Sequence, residues 1–307
     1  MAQDEIPNLC FSSEVIERGS ESWKTMSEKV REACENYGCF VLKGDQLFDY
    51  NLRQKMVMAI KTLFDLPEET KQKHTSAKPF EGYSGNLVSE AFGIGHAPPL
   101  DATIEAFTRL MWPQGNSAVC EVINSMNSRM AGIGFIILRM ILDSFGMEKH
   151  NKWFVENLVP GSRLMKYNVP TSDSPDMQGL GAHTDKNSLT ILGQNEVQGL
   201  QILTKQENWI QPNISDESFI IIIGDTLKAW SNGKLQPATH RVIMRGDKER
   251  YSWGIFFLPE DEVLTEAPQE FIDKDHPLLY RPFKYPDYLT YCLNNPSDDA
   301  LEIYTGV

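Results

Sequence analysis

Apolar residues recur at helical spacing in several stretches of the 307-residue chain. From Trp23 to Tyr37 an apolar residue recurs every three to four positions, which predicts a helix. The glycine that follows, Gly38, is typical of a residue that ends a helix. The pattern predicts a second helix from Phe48 to Phe64. Ser117 to Phe145 predicts a long amphipathic helix that covers one face of a sheet, and Tyr285 to Leu293 predicts a terminal helix.

The apolar pattern is that of β-strands elsewhere in the chain. Cys39 to Leu42 predicts a buried strand, and short β-rich runs separated by turns begin at Leu164. Phe219 to Ile223 is wholly apolar and ends at Gly224, which is typical of a strand buried on both faces. The stretch from about His74 to Asn116 is rich in Gly, Pro and Ser with aromatic residues between them, and it predicts a packed loop.

Helices at both ends and a β-rich middle predict one layered α+β unit. We expect helices packed outside a distorted double-stranded β-helix, a jelly-roll barrel whose two sheets face each other across a wide mouth. No internal repeat or linker composition divides the chain. We therefore expect a single domain over residues 1–307, with a helix-rich part at about 1–160, the jelly-roll core at about 161–260 and a helical segment at 261–307.

Composition and charge narrow the class of partner. Hydrophobic residues make up 41% of the chain and charged residues 23%, which is ordinary for a soluble globular protein. The net charge of −13 argues against nucleic acids and anionic membranes, because both need a basic face. We therefore expect a small-molecule substrate, no nucleic-acid or membrane partner, and a monomer.

Cysteine usage indicates a reducing compartment. The five cysteines cannot all pair, and none forms a Cys-x-x-Cys motif. Cys34 and Cys39 lack the further ligands of a zinc site, so we interpret them as buried small apolar residues. The first residues lack the basic and apolar regions of a secretory signal, and Arg139 interrupts the most apolar helical stretch. The expected location is the cytoplasm.

Two short motifs carry the candidate chemistry, and the first is a metal site. His183 and Asp185 are two residues apart, so on a β-strand their side chains point to the same face. His240 opens a later β-rich run, far enough along the chain for several strands to bring it back beside the first pair. Two imidazoles and one carboxylate can occupy one face of an octahedral Fe(II) and leave the opposite positions open.

The second motif is Arg250-Tyr251-Ser252, which repeats the two-residue spacing on another predicted strand. A guanidinium and a hydroxyl on one face of a strand are suited to bind a carboxylate. We interpret three further histidines, His74, His150 and His276, as capping or surface groups, and Asp225 as a turn residue.

With these motifs the chain resembles the plant-type soluble 2-oxoglutarate-dependent Fe(II) dioxygenases over nearly its whole length. The resemblance is densest from Ser162 to Pro259. Its further motifs are Gly199-Leu200-Gln201-Ile202, Trp209-Ile210, Ile223-Gly224-Asp225-Thr226-Leu227, Trp230-Ser231-Asn232-Gly233 and Tyr37-Gly38-Cys39-Phe40. Phe107 to Pro113 and Asp143 to Glu148 resemble a specialised-metabolism branch, which includes the AOP-like enzymes of glucosinolate side-chain modification and deoxypodophyllotoxin synthase.

The chain departs from the family pattern in two places. Many members carry Asn-Tyr-Tyr-Pro where this chain has Lys166-Tyr167-Asn168-Val169-Pro170. We expect Tyr167 to supply a hydroxyl to the co-substrate, whereas Val169 cannot donate a hydrogen bond. Relatives read Ile-Pro-Val-Ile-Asp-Leu where this chain has Ile6-Pro7-Asn8-Leu9-Cys10-Phe11, and this difference weakens the prediction of a first strand.

The resemblance implies an Fe(II) centre held by His183, Asp185 and His240. It also implies 2-oxoglutarate as co-substrate, O₂ as oxidant and ascorbate as reductant. Arg250, helped by Ser252, is implied to bind the distal carboxylate of 2-oxoglutarate. The reaction so implied decarboxylates 2-oxoglutarate to succinate and CO₂ and oxidises a C–H group of the substrate.

Aromatic residues are the candidate substrate contacts. They lie on the loop-rich stretch, on the strand after the arginine motif and on the terminal helix: Tyr83, Phe92, Phe107, Phe256 and Tyr291. Packing is the alternative for each, because aromatic side chains dominate protein cores as well. An aromatic mouth would favour a planar or polycyclic small molecule.

Three interpretations of the function stay open. The first is an oxygenase that acts on a plant specialised metabolite by hydroxylation, desaturation, dealkylation or ring closure. The second is oxidation of a hormone, auxin or gibberellin, by the same chemistry, since one scaffold serves both. The third is a non-catalytic binding protein, against which the intact motifs count. A zinc hydrolase is disfavoured, because no further glutamate lies beside the ligands and the Arg-x-Ser motif would have no role.

Overall fold

The structure, a computed structural model, describes residues 5–12, 14–44, 50–95, 100–171, 176–215 and 217–307. Its helices are α1 (Glu21–Asn36), α2 (Tyr50–Phe64), α3 (Glu68–Lys71), α4 (Leu100–Met111), α5 (Ser117–Ser144), α6 (Asn151–Asn157), α7 (Asp225–Trp230), α8 (Tyr285–Asn294) and α9 (Ala300–Thr305). Its strands are β1 (Asn8–Cys10), β2 (Cys39–Lys43), β3 (Gly82–Gly85), β4 (Ser89–Ile94), β5 (Leu158–Tyr167), β6 (Met177–His183), β7 (Leu189–Gln194), β8 (Leu200–Leu203), β9 (Trp209–Ile210), β10 (Ser218–Ile223), β11 (His240–Met244), β12 (Arg250–Pro259), β13 (Leu264–Thr265) and β14 (Phe283–Lys284).

Two β-sheets face each other and enclose a cavity. The larger sheet has eight strands in the order β1-β2-β10-β7-β12-β5-β4-β3, and the smaller has four in the order β6-β11-β8-β9. The prediction of an α+β fold with a distorted double-stranded β-helix is confirmed. The larger sheet extends beyond the predicted core at both edges, because β1 to β4 come from the helix-rich first part of the chain. The division into one domain stays a prediction.

The long predicted helix is α5, which packs against the outer face of the larger sheet. Asn116 caps its first turn by accepting a backbone hydrogen bond. Ile133 and Ile137 are buried in the same hydrophobic cluster as residues of β7 and β12. Gly134 permits the close approach of helix and sheet, because a Cβ there would stand 2.2 Å from the Cζ of Phe257.

The prediction that residues from about His74 to Asn116 form a loop is wrong, because β3, β4 and α4 occupy much of this stretch. β3 and β4 pair as a hairpin at the edge of the larger sheet. Gly93 is a strand residue where another part of the chain approaches closely, since a Cβ there would stand 1.7 Å from the carbonyl oxygen of Phe80. The expected packing of the aromatic residues is confirmed for Phe92 and Phe107, which are buried.

Helix ends agree with the sequence pattern where the structure describes them. α1 ends before Gly38, whose φ of +68° is a left-handed conformation that glycine adopts readily. α2 begins at Tyr50, and the predicted start at Phe48 lies outside the described residues. The helix predicted from Tyr285 to Leu293 is α8, but it is not terminal, because α9 follows it.

The two predicted buried strands lie next to each other in the larger sheet. β2 and β10 are buried and pair antiparallel. β1 forms despite the departure from the family pattern and pairs in parallel with β2. Cys34 and Cys39 are buried as predicted, and all five cysteines are free. Among the described residues, no helix is long and apolar enough to cross a membrane.

Candidate metal centre

Strand pairing brings two histidines together. β6 ends at His183, β11 begins at His240, and the two residues are partners in the antiparallel register. The Nε2 of His183 lies 3.7 Å from the Oδ1 of Asp185, and the Nε2 of His240 lies 3.8 Å from the same oxygen. These three atoms lie within 4.8 Å of one another, so a single ion between them can contact all three.

Asp185 lies in the turn before β7, so the prediction that it shares a strand with His183 is wrong. Hydrogen bonds from α7 and β7 hold Asp185 in this turn. The carbonyl oxygen of Asp185 accepts a hydrogen bond from the N–H of Asp225 at 2.8 Å. The hydroxyl of Thr190 donates to the Oδ2 of Asp185 at 2.5 Å. These contacts leave Oδ1 as the oxygen that faces the histidines.

Each histidine ring is oriented through its other nitrogen. The Nδ1 of His183 donates to the carbonyl of Gly181 at 2.8 Å, and the Nδ1 of His240 donates to the carbonyl of Ala238 at 2.9 Å. A carbonyl oxygen only accepts, so Nδ1 carries a proton in both rings, and in a neutral ring Nε2 then keeps its lone pair. Burial, together with the neighbouring His240, lowers the pKa of His183 to about 4. His183 is therefore neutral at pH 7, the form that binds a metal.

A buried ion pair ties this turn to α8. The Nζ of Lys186 donates to the Oδ2 of Asp225 at 2.7 Å and to the hydroxyl of Thr184 at 2.9 Å. The hydroxyl of Tyr288 donates to the same oxygen of Asp225 at 2.6 Å. Asp225 therefore does more than form a turn, because it connects the turn that carries Asp185 with the C-terminal helix.

Arg250 is a fully buried cation on the inner face of the larger sheet, with 0% of its surface exposed. Its guanidinium donates to the Oε1 of Gln194 at 2.9 Å and to the hydroxyl of Ser252 at 3.3 Å. Its Cζ lies 5.0 Å from the centre of the Tyr167 ring. Its Nε has no hydrogen-bond partner, and no carboxylate of the described residues forms an ion pair with the guanidinium. Burial lowers the pKa of Arg250 from its usual value.

A buried guanidinium without a carboxylate partner is costly unless an anion joins it. Arg250 and Ser252 share one face of β12, as their spacing predicted. The pair therefore fits the carboxylate of a small organic acid. Tyr167, which we expected to reach the co-substrate, packs its ring on the guanidinium and directs its hydroxyl to the Sδ of Met165 at 3.8 Å.

The metal-binding cluster and Arg250 line the same cavity, which has a volume of about 680 Å³. This volume is typical of sites for small organic ligands. α8 covers one side of the cavity with Tyr285 and Leu289. Phe256, a candidate substrate contact, lies on the wall.

The other four aromatic candidates do not line this cavity. Phe92 and Phe107 belong to the hydrophobic core, and their ring centres are 5.4 Å apart. Tyr83 donates hydrogen bonds to glutamates of α3 and β4. Tyr291 packs against Tyr304 with ring centres 4.8 Å apart. Sequence alone does not distinguish an aromatic residue of the core from one that faces a ligand.

His74, His150 and His276 lie apart from the cluster, as we interpreted them, and His96 lies outside the described residues. His74 contacts the backbone of β4, and His150 and His276 lie next to carboxylates at the surface. Within the described ranges, only His183, Asp185 and His240 form a group that could hold a metal ion.

Two residues that shape the site were not identified from the sequence. Thr190 orients Asp185, and Gln194 accepts a hydrogen bond from Arg250. Both lie on β7, and their even spacing places them on its inner face. Polar residues at such positions in an otherwise apolar run were the available signal.

The donor set fits Fe(II). Two imidazole nitrogens and one carboxylate oxygen are the donors that would hold Fe(II) here, and three protein ligands would leave the ion open to further ligands. Zinc sites that are purely structural have four protein ligands, and among the described residues this cluster offers three. The arrangement therefore suits a catalytic iron.

Comparison with known proteins agrees with this geometry. Residues 161–259 match the 2OG-Fe(II) oxygenase superfamily. Residues 6–114 match the family described as non-haem dioxygenase in morphine synthesis N-terminal. The first of these ranges includes β6, β11 and β12, which carry His183, His240 and Arg250, and the turn that carries Asp185.

Relatives of known name match over nearly the whole chain. Probable 2-oxoglutarate-dependent dioxygenase AOP1 of Arabidopsis thaliana is 38% identical over 289 residues, which cover 93% of this chain and 95% of the relative. The crystal structure of the dioxygenase for auxin oxidation in rice has a TM-score of 0.85 at 29% identity and covers 98% of this chain and 100% of its own. The crystal structure of JOX2 in complex with 2OG, Fe and JA has a TM-score of 0.82 at 23% identity, covers 99% of this chain and 90% of its own, and shows the fold alone. The chain therefore belongs to the 2OG-Fe(II) oxygenase superfamily, as a plant-type, AOP-like dioxygenase that uses Fe(II) and 2-oxoglutarate.

Proposed function

We propose that His183, Asp185 and His240 bind Fe(II), and that Arg250 with Ser252 binds the distal carboxylate of 2-oxoglutarate. One observation carries this proposal. The three candidate metal ligands line the same cavity as the buried guanidinium of Arg250, which pairs with no carboxylate of the described residues. The enzyme oxidises a small molecule there and releases succinate and CO₂.

Each residue has its own task in this proposal. Iron, when bound, supplies the chemistry that decarboxylates 2-oxoglutarate and oxidises a C–H group. His183 and His240 present their Nε2 atoms, and Asp185 presents one oxygen. Arg250 holds the far end of the co-substrate, and the cavity walls exclude water from the reacting atoms. The ring of Tyr167 packs against the guanidinium of Arg250 and helps to position it.

The substrate we propose is a plant specialised metabolite. The AOP1 relative, 38% identical over nearly the whole chain, supports this class. The cavity of about 680 Å³ accommodates a molecule of that size. Hydroxylation, desaturation, dealkylation and ring closure are the outcomes we consider, because all of them begin with oxidation of a C–H group.

Hormone oxidation is the second candidate. The rice protein, whose name states auxin oxidation, has a TM-score of 0.85 over 98% of this chain and supports an auxin more than a gibberellin. A non-catalytic binding protein has less support, because the ligand atoms keep a geometry suited to iron.

We further propose that the enzyme is a monomer that uses ascorbate to keep its iron reduced. The net charge of −13 supports the expectation that it binds neither nucleic acids nor anionic membranes. The free state of all five cysteines supports a reducing compartment such as the cytoplasm.

Anaerobic spectroscopy followed by a substrate screen tests the proposed function. Addition of 2-oxoglutarate to the Fe(II)-loaded protein is expected to produce a metal-to-ligand charge-transfer band, and Asp185→Ala is expected to abolish it. Plant metabolites are then screened for succinate release. A wild-type protein that shows no such band at saturating iron and 2-oxoglutarate would contradict the proposal.

A further inference from the structure

A second arginine lies on the inner wall of the cavity. Arg163 is a residue of β5, on the same face as Met165 and Tyr167. Tyr167 is the cross-strand partner of Arg250. Four residues of strand therefore separate the two arginine positions, a distance of about 13 Å along the sheet. They are two distinct cationic positions in one cavity.

The strands on either side of Arg163 both carry a glycine next to it. Its cross-strand partners are Gly93 on β4 and Gly254 on β12, so neither adjacent strand contributes a side chain beside it. The space at Gly93 is filled by the backbone of Phe80, whose carbonyl oxygen would stand 1.7 Å from a Cβ. Arg163 thus stands as a single long side chain between two glycines.

Phe80 covers the guanidinium of Arg163. The Arg163 Cζ lies 5.2 Å from the centre of the Phe80 ring. Phe80 has a φ of +62°, a conformation that costs a non-glycine residue on the order of 1 kcal/mol. It nevertheless leaves 52% of its surface exposed. The strained backbone therefore holds an aromatic ring against a cation at the edge of the cavity.

Arg163 forms no ion pair in the described part of the chain, although the negative charge of Asp185 partly offsets the effect of burial on its pKa. Its Nε is shielded from solvent and makes no hydrogen bond. No carboxylate of the described residues forms an ion pair with it, although it lines the cavity. Burial lowers the pKa of Arg163 from its usual value, but an arginine still carries its charge at pH 7. An unpaired, poorly solvated guanidinium is a ready binding site for an anion.

The co-substrate already has a cation of its own. Arg250 is completely buried and has Ser252 and Gln194 beside it, whereas Arg163 is half-buried and lies under an exposed ring. The inner position suits the small co-substrate, and the outer one suits the molecule that enters after it. We propose that the substrate is an organic acid whose carboxylate pairs with Arg163 and whose carbon skeleton packs against Phe80. This inference rests on the proposed function and specifies the substrate class.

Matched ligand pairs test the proposal. Phenylacetic, indole-3-acetic, benzoic and cinnamic acids are each titrated beside their primary amides into the anaerobic enzyme loaded with Fe(II) and 2-oxoglutarate. Calorimetry gives the Kd of each ligand. At least one acid is expected to bind about ten-fold or more tightly than its amide, the difference that a single charge-assisted pair supplies. Equal binding of every acid and amide, or binding of no acid, would overturn the proposal without any variant.

Variants then assign the preference to Arg163. Arg163→Met is expected to bind acid and amide equally and to keep the wild-type Kd for 2-oxoglutarate, whereas Arg163→Lys keeps part of the preference. Arg241→Met is the matched control, because Arg241 is also a strand arginine over an aromatic ring, 4.0 Å from Trp209, but does not line the cavity. If Arg163→Met still binds the acid more tightly than its amide, the role of Arg163 is refuted and the proposed function is unaffected. Failure of the wild-type enzyme to bind 2-oxoglutarate would instead contradict the proposed function.

Discussion

The hydroxyl of Thr190 donates a hydrogen bond to the Oδ2 of Asp185 at 2.5 Å, and this contact determines which carboxylate oxygen faces the metal site. The other oxygen, Oδ1, is the one that lies near both histidine Nε2 atoms. Because Asp185 lies in a turn and not on a strand, its side chain depends on such a contact for its orientation.

Replacement of the Thr190 hydroxyl is expected to weaken iron binding. Thr190→Val keeps the shape of the side chain but leaves Asp185 free to rotate, so the Kd for Fe(II) should rise about ten- to a hundred-fold. Anaerobic Fe(II) titration measures this. Thr62→Val is the control, because Thr62 is an exposed threonine of α2 that bonds only to its own helix. A wild-type Kd in Thr190→Val would show that the contact does not orient the ligand.

Removal of any one ligand is expected to abolish turnover with little effect on the fold. His183→Ala, Asp185→Ala and His240→Ala each leave two ligands, which hold Fe(II) too weakly for catalysis. Succinate release measures activity, and circular dichroism reports the fold. His276→Ala removes a histidine that is exposed and pairs with Asp273, so it should retain activity. Full turnover by purified, iron-supplemented Asp185→Ala would refute the assignment.

Arg250→Ala is expected to raise the requirement for 2-oxoglutarate steeply. Loss of one partner of a buried charge pair costs about 3–5 kcal/mol, which corresponds to roughly a hundred- to several thousand-fold in the KM for 2-oxoglutarate. Steady-state kinetics with varied co-substrate tests this. Arg245→Ala, at an exposed arginine paired with Asp176, should leave the KM unchanged. An unchanged KM in Arg250→Ala would remove Arg250 from the co-substrate site.

Tyr288→Phe is expected to destabilise the protein in a pH-dependent way. Burial and the nearby Asp225 raise the pKa of Tyr288, so the folded state favours the protonated hydroxyl. The contribution is complete below the unfolded pKa of about 10 and is lost as the pH rises above it. At pH 8 the wild type should be about 1–3 kcal/mol more stable than the variant.

Urea unfolding at pH 8 and pH 11 measures this difference. By pH 11 the advantage of the wild type should shrink by about 1.4 kcal/mol, the value of one pH unit. Tyr50→Phe, at a tyrosine with 56% of its surface exposed, provides the control and should show a difference that does not change with pH. An advantage of constant size between pH 8 and pH 11 would contradict the role assigned to Tyr288.

The sequence by itself determined the chemical groups of the site and much of the secondary structure. Residue types at spacings of two identified His183 with Asp185, and Arg250 with Ser252. Strand periodicity explains the second pair, whereas Asp185 lies in the turn after β6. The helices α1 and α5 followed from apolar residues at helical spacing, and the buried strand β10 followed from a wholly apolar run that ends at a glycine. These are local properties, because the conformation of a short segment depends mainly on residues that are close in sequence.

Only the tertiary structure decided which distant groups meet. The pairing of β6 with β11 places His240 beside His183, and the turn before β7 carries Asp185. The pairing of β5 with β4 and β12 sets Arg163 between two glycines, a relationship between three strands far apart in sequence. Burial of Phe92 and Phe107 in the core was decided in the same way. Contacts between remote segments depend on register and packing, and no local pattern encodes them.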